Sequence, residues 1–149
     1  MNPILAATAV SIVLAGCAAK PGAQATHADP PTSELAGTAW KLVGFEGGDG
    51  ERVTPDDGSK YTIQFEPDGT LSARIDCNRG RGTWTSTGTS GLMLGPLALT
   101  RAMCPPGSMH DRIVKHWSFI RSYLIRGGRL HLSLMADGGI YELEPMGSK

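Results

Sequence analysis

The stretch Asp76-Cys77-Asn78-Arg79-Gly80-Arg81-Gly82 constrains the fold more than any other, because it sets a cysteine and a glycine-rich, basic segment between two alternating β patterns. Upstream, Tyr61-Thr62-Ile63-Gln64-Phe65 alternates, Pro67-Asp68-Gly69 supplies turn chemistry, and Thr70 to Ile75 alternates again, which predicts a hairpin. Leu71, Ala73 and Ile75 share one face, and a period of two places Cys77 on that face, pointing inward. Gly80 and Gly82 accept positive φ, as does Asn78, so residues 77–82 are expected to turn tightly before Thr83-Trp84-Thr85-Ser86 resumes a strand.

Two readings of that turn stay open. Its backbone amides converge beside Arg79 and Arg81, which suits a small anion site. The alternative, favoured over it, is a solvated turn whose arginines keep a sheet edge soluble. Asn78, Arg79 and Arg81 are therefore the candidate binding loop, and Asp76 beside the arginines is expected to form a surface ion pair.

The N-terminus says where the chain works. Ile4 to Gly16 is apolar, uncharged and too short for a permanent membrane span, so residues 1–16 read as a secretory signal. It closes on Leu14-Ala15-Gly16-Cys17, the pattern at which a bacterial lipoprotein is cleaved and its cysteine takes a diacylglycerol. Ala18 rather than Asp follows, which favours anchoring of Cys17 at the periplasmic face of the outer membrane. Residues 17–34 lack large apolar side chains and form a tether, with His27 solvated.

Export places the two remaining cysteines in an oxidising compartment, so Cys77 and Cys104 are expected to bridge, with a gain of roughly 2–4 kcal/mol. A zinc set of Cys77, Cys104, His110 and His116 is the alternative, but neither CxxC nor HxxxH spacing supports it. No metal or cofactor is expected.

Residues 35–145 form the domain, with a polar tail at 146–149. Trp40, Leu42 and Gly44 fall on one side of a first strand, Val43 and Phe45 on the other. Gly91 to Thr100 is strand-like but bent by Gly95-Pro96. Ser108-Met109-His110-Asp111 has a capping-box form, and Met109, Ile113, Trp117, Ile120 and Leu124 make an apolar stripe, which predicts one helix over about residues 108–122 with His110 and His116 exposed. Residues 123–143 then read as a three-strand meander, with Leu130, Leu132 and Leu134 on one face and Ile140 opposite them.

The fold class that follows is mainly β (α+β): a compact antiparallel barrel-like sheet of about eight short strands, with the helix packed against or plugging it. Zero net charge removes the electrostatic case for nucleic acid. The chain carries no G-x-S-x-G or HExxH, and no catalytic residue is expected.

Taken together, Trp40-Lys41-Leu42, Ile63-Gln64-Phe65 with Asp68-Gly69, Cys77-Asn78-Arg79 with Gly82 and Trp84, Leu97 to Cys104, and the closing Leu130, Leu132, Leu134 and Gly138 resemble the META domain (HslJ-like) family. Ile75-Asp76 stands before the Cys-Asn where that family has a small residue and glycine, and the aromatic usual between Asn78 and Gly82 is missing. The resemblance implies a barrel with one helix, similar to pilot lipoproteins that assist secretin assembly, and associations with heat shock and drug resistance. The resulting expectation is a monomeric, non-enzymatic envelope lipoprotein that binds a protein or an apolar ligand. The alternative is a small periplasmic hydrolase inhibitor, or a pilot for an outer-membrane complex.

Overall fold

A computed structural model of the protein describes residues 33–147; the signal, Cys17 and the tether through residue 32 lie outside them. Leu35 is fully buried, and the amide of Ala36 donates to Ser33 in the turn that launches the first strand.

Eight antiparallel strands close a barrel and two more attach to it. Around the wall run β1 (Thr38–Glu46), β3 (Tyr61–Phe65), β4 (Thr70–Ile75), β5 (Asn78–Thr87), β6 (Gly91–Leu94), β8 (Ile120–Arg126), β9 (Arg129–Leu134) and β10 (Ile140–Pro145), which pairs back onto β1. Of the two additions, β2 (Arg52–Val53) lies beside the end of β1, and β7 (Ala98–Leu99) lies beside β5. Alternate residues of each strand point inward, so Ile63, Phe65, Leu71, Ala73, Ile75, Leu130 and Leu132 meet in one apolar core.

The β3–β4 hairpin forms as expected. Gly69 takes φ 82°, and the Asp68 carboxylate accepts the Thr70 amide. The closing meander forms too, but Tyr141 and Leu143, not Ile140, stand across from Leu132 and Leu130. Phe45 was expected on the face away from Trp40. A bulge between Leu42 and Gly44 in the β1–β10 ladder shifts the alternation by one, and Phe45 joins Trp40 and Leu42 in the core.

The helix is shorter than the predicted 108–122. α1 covers His110–His116, a 3-10 turn takes Trp117–Phe119, and β8 starts at Ile120. Met109 and Trp117 are buried and Ile113 partly so, but Leu124 is 53% exposed, because beyond Trp117 the chain pairs with β9. A bulge between Ile120 and Ser122 then puts Tyr123 inside. Ser108 Oγ accepts the His110 amide at 3.1 Å, whereas Asp111 turns to the His110 ring and does not complete a capping box.

Candidate functional site

The predicted loop at residues 77–82 is not a loop. Asp76 adopts φ 56°, which reverses the chain within Asp76-Cys77, and β5 begins at Asn78 with Ile75 opposite it. That left-handed residue breaks the period of two. Cys77 is consequently half-buried rather than inward, and Asn78 takes the inward place, fully buried.

Cys77 and Cys104 are bonded, with Cα atoms 5.4 Å apart, and tie this turn to the segment preceding α1. Asn78 makes the same connection by hydrogen bonding. Its Nδ2 donates to the Ala102 carbonyl at 2.9 Å, and its Oδ1 accepts from the Ala102 amide at 2.7 Å and from the Thr100 hydroxyl at 2.9 Å. Thr100 N donates to the Arg79 carbonyl, and the Arg79 amide donates to Thr100 Oγ1. Residues 97–104 are thus a strap laid along the first half of β5. Since both cysteines are oxidised, the zinc set loses its thiolates; among the described residues no group of three or more metal-ligating side chains occurs.

Gly80 and Gly82 lie within β5 at ordinary strand φ, so turning is not why they are glycine. A Cβ on Gly80 would stand 2.8 Å from Leu97 Cγ and 2.9 Å from Leu99 Cδ1, and one on Gly82 would stand 3.0 Å from the Pro96 carbonyl. The glycines let the strap approach. Arg79 and Arg81 alternate with them and point outward.

Arg74 joins these two arginines on the outer face. It pairs directly with Arg79 across β4–β5, and Ser72 pairs with Arg81. The three guanidiniums border an open groove of about 580 Å³ that Thr62, Gln64 and Ala98 also line. Among the described residues no carboxylate pairs with any of them; the arginine ion pairs join Arg52 to Glu46, Arg112 to Glu51 and Arg129 to Glu142. Asp76 is buried, and the expected ion pair with Arg79 or Arg81 does not form, although its carbonyl accepts from Arg74 Nε. The convergent amides that the anion-site reading needs do not occur, because these residues are paired in the ladder or, at Arg79, with Thr100 Oγ1. Arg74 was not singled out from sequence; the signal was its place opposite Arg79, legible only after the turn is fixed at Asp76-Cys77.

The barrel interior is filled. Ile113 and Trp117 of the helical segment plug it against Leu42, Ile63, Leu132 and Tyr141, leaving an apolar cavity of about 50 Å³. The two histidines, expected to be exposed, are both partly buried. His116 Nδ1 lies 2.8 Å from the Tyr141 hydroxyl and its ring 5.2 Å from Phe45, while Arg112 covers the same Phe45 ring and pairs with Glu51 at 2.9 Å. Burial, and then Arg112 and Lys115, hold the His116 pKa below its ordinary 6.5; burial pushes the Tyr141 phenol far up. Tyr141 therefore keeps its proton and donates a hydrogen bond to His116, whose neutral ring accepts at Nδ1.

A closed eight-stranded antiparallel barrel plugged by one short helical segment, with a disulfide-held strap outside, defines a small barrel-domain class. The META domain model matches residues 33–144, and the chain belongs to that family. Among solved structures, a protein from Burkholderia xenovorans is similar at 20% identity and TM-score 0.65, over 76% of this chain and 85% of its own. A DUF4847 family protein from Bacteroides vulgatus is similar at 18% identity and TM-score 0.59, over 78% of this chain and 97% of its own. Both likenesses are of fold. No curated protein matches the sequence significantly.

Proposed function

We propose that this META-domain protein is a lipid-anchored envelope lipoprotein, held by Cys17 at the periplasmic face of the outer membrane, that acts without catalysis by binding a protein partner on the outside of its barrel in support of envelope integrity under stress. The observation that carries the reading is the contrast between inside and outside. A cavity of about 50 Å³ is far below the several hundred Å³ that a lipid-sized ligand fills, which favours the protein over the apolar ligand. Outside, Arg74, Arg79 and Arg81 present charge with no carboxylate partner among the described residues, as a surface prepared for an acidic partner does.

The pilot or assembly-factor alternative is a special case of this reading. The hydrolase-inhibitor alternative loses its support, because a blocking loop must protrude, whereas residues 78–81 lie within β5. The test compares wild type with an Arg74→Glu/Arg79→Glu/Arg81→Glu variant, each carrying a photo-crosslinker at Thr62, in intact cells. The expected result is a discrete envelope-protein adduct that the variant loses, with no lipid released from the purified protein on denaturation. A stoichiometric bound lipid, or adducts indifferent to charge reversal, would overturn it.

A further inference from the structure

β6 and β7 are two pieces of one broken strand. Both run antiparallel to β5, with Gly95-Pro96 between them, and Thr100 and Ala102 extend the pairing down to Arg79 and Asn78. A closed barrel should cover the far edge of this composite strand with β8. Yet β8 reaches it only at Gly91 opposite Ser122 and through the Tyr123 amide on the Ser90 carbonyl. Further along, the Trp117 indole donates to the Gly95 carbonyl at 3.0 Å.

The rest of that edge is open. Ala98, Thr100 and Ala102 turn their backbone groups toward β5, so the alternation of an antiparallel strand turns those of Leu99, Arg101 and Met103 away from it. Among the described residues these amides and carbonyls find no backbone partner, and β7 pairs with β5 alone. Arg101 is exposed, and the Met103 side chain is 98% exposed, touching almost nothing of its own fold. The strap is nonetheless held in place by the Cys77–Cys104 bond and the Asn78 pairing, so the edge is preformed.

We propose that the edge formed by Leu99, Arg101 and Met103 docks an extended acidic segment of a partner protein, which adds to the sheet as a further strand. Main-chain hydrogen bonds supply the pairing, and alternate side chains supply the choice of partner. Charge selects the occupant. Arg101 stands exposed on the edge itself, and Arg79 and Arg81 on β5 add positive charge about 10 Å, two strand spacings, from the added strand. A second copy of this chain docking edge to edge would bring arginine against arginine, which disfavours self-pairing and leaves an acidic segment as the complementary occupant. The proposal rests on the outer surface being the binding surface, and adds the form and the charge of what binds there.

The test uses the oxidised chain carrying Cys17→Ser and four blocked hexapeptides. These are Val-Glu-Val-Glu-Val-Glu, its lysine counterpart, and two N-methylated forms of the acidic peptide, one methylated on each alternate set of residues. Amide exchange read by NMR is expected to slow at least about tenfold at Leu99, Arg101 and Met103 with the acidic peptide and not with the lysine peptide. One methylated form should bind about as well as the parent and the other at least roughly fivefold weaker, since only one set of amides faces the domain. Arg101→Glu should weaken the acidic peptide comparably, with an unchanged melting temperature as its control. Absence of protection at these amides, equal binding by both methylated forms, or equal binding of the lysine peptide overturns the proposal. Should the peptide protect the edge while the cellular adduct proves indifferent to the arginines, the partner reading fails and the edge stands. The reverse result leaves a partner that docks another way.

Discussion

The side chain of Asn78 pairs with the backbone of Ala102 as a peptide group would, accepting from its amide at 2.7 Å and donating to its carbonyl at 2.9 Å. The β-ladder runs past Gly80 opposite Leu99 to the Thr100 amide on the Arg79 carbonyl, and Asn78 continues it beyond that last main-chain bond. Aspartate at this site keeps the acceptor and loses the donor. Alanine loses both and leaves a void where a fully buried side chain stood.

Asn78→Ala is expected to lower stability by about 2–3 kcal/mol, the sum of lost hydrogen bonds and an unfilled site. Asn78→Asp should cost at least as much at neutral pH, because a buried carboxylate would face the Ala102 carbonyl. Its deficit should shrink on acidification, as the protonated acid regains a donor. Urea unfolding at two pH values measures both. An Asp variant as stable as wild type at neutral pH would show that the side chain does not bear on the strap as described.

The Cys77–Cys104 bond closes a loop with a sequence separation of 27. Replacing both cysteines by serine should destabilise the protein by roughly 3 kcal/mol, chiefly by freeing the unfolded chain. Locally, the amides of Thr100 and Ala102 should lose exchange protection while those of β3 and β4, hydrogen-bonded elsewhere, keep theirs. Uniform loss across all these strands would mean that the strap and barrel open as one unit.

What the sequence revealed and what it hid divide along a physical line. The β3–β4 hairpin, the closing meander and the disulfide each follow from local alternation, turn residues or the expectation of export, and each is present. The misplacements came from single-residue events that local patterns do not carry. The left-handed Asp76 shifts the face of everything after it by one, turning Cys77 partly outward and Asn78 in. Bulges at Leu42/Gly44 and Ile120/Ser122 do the same for Phe45 and Tyr123. The stripe from Met109 to Leu124 mixes a helical spacing with a strand spacing, and only pairing with β9 decides where one yields to the other. Asn78, Arg79 and Arg81 were found as a group but not as a loop: one is structural, and the other two acquire Arg74 as a neighbour only through register.

Gly80 offers a direct test of the strap's closeness. Gly80→Ala places a methyl 2.8 Å from Leu97 Cγ and 2.9 Å from Leu99 Cδ1, and a loss of about 1–3 kcal/mol is expected from overpacking. Leu97→Ala makes room, so the double variant should be less destabilised than the sum of the singles by at least about 0.5 kcal/mol. Additive losses in a denaturation cycle would place the strap farther from β5 than the structure does.

His116 should make the protein less stable on the acid side. Its folded pKa is depressed, by burial first and then by the cations Arg112 and Lys115, so the unfolded chain binds a proton more readily than the native one. Above the ordinary value of 6.5 both states are neutral and the group contributes no pH dependence. As pH falls through 6.5 toward the folded value, unfolding takes up a proton, and stability declines with it. Protonation would also remove the Nδ1 lone pair that accepts from Tyr141, whose own pKa is raised by burial and which therefore remains a donor throughout this range. His116→Gln keeps a polar side chain at the site without the titration. Melting temperatures followed from pH 8 to pH 5 should fall for wild type by more than for this variant, and Tyr141→Phe, which removes the donor but not the burial, should retain most of the pH dependence. Parallel profiles for wild type and His116→Gln would assign the acid sensitivity to other groups.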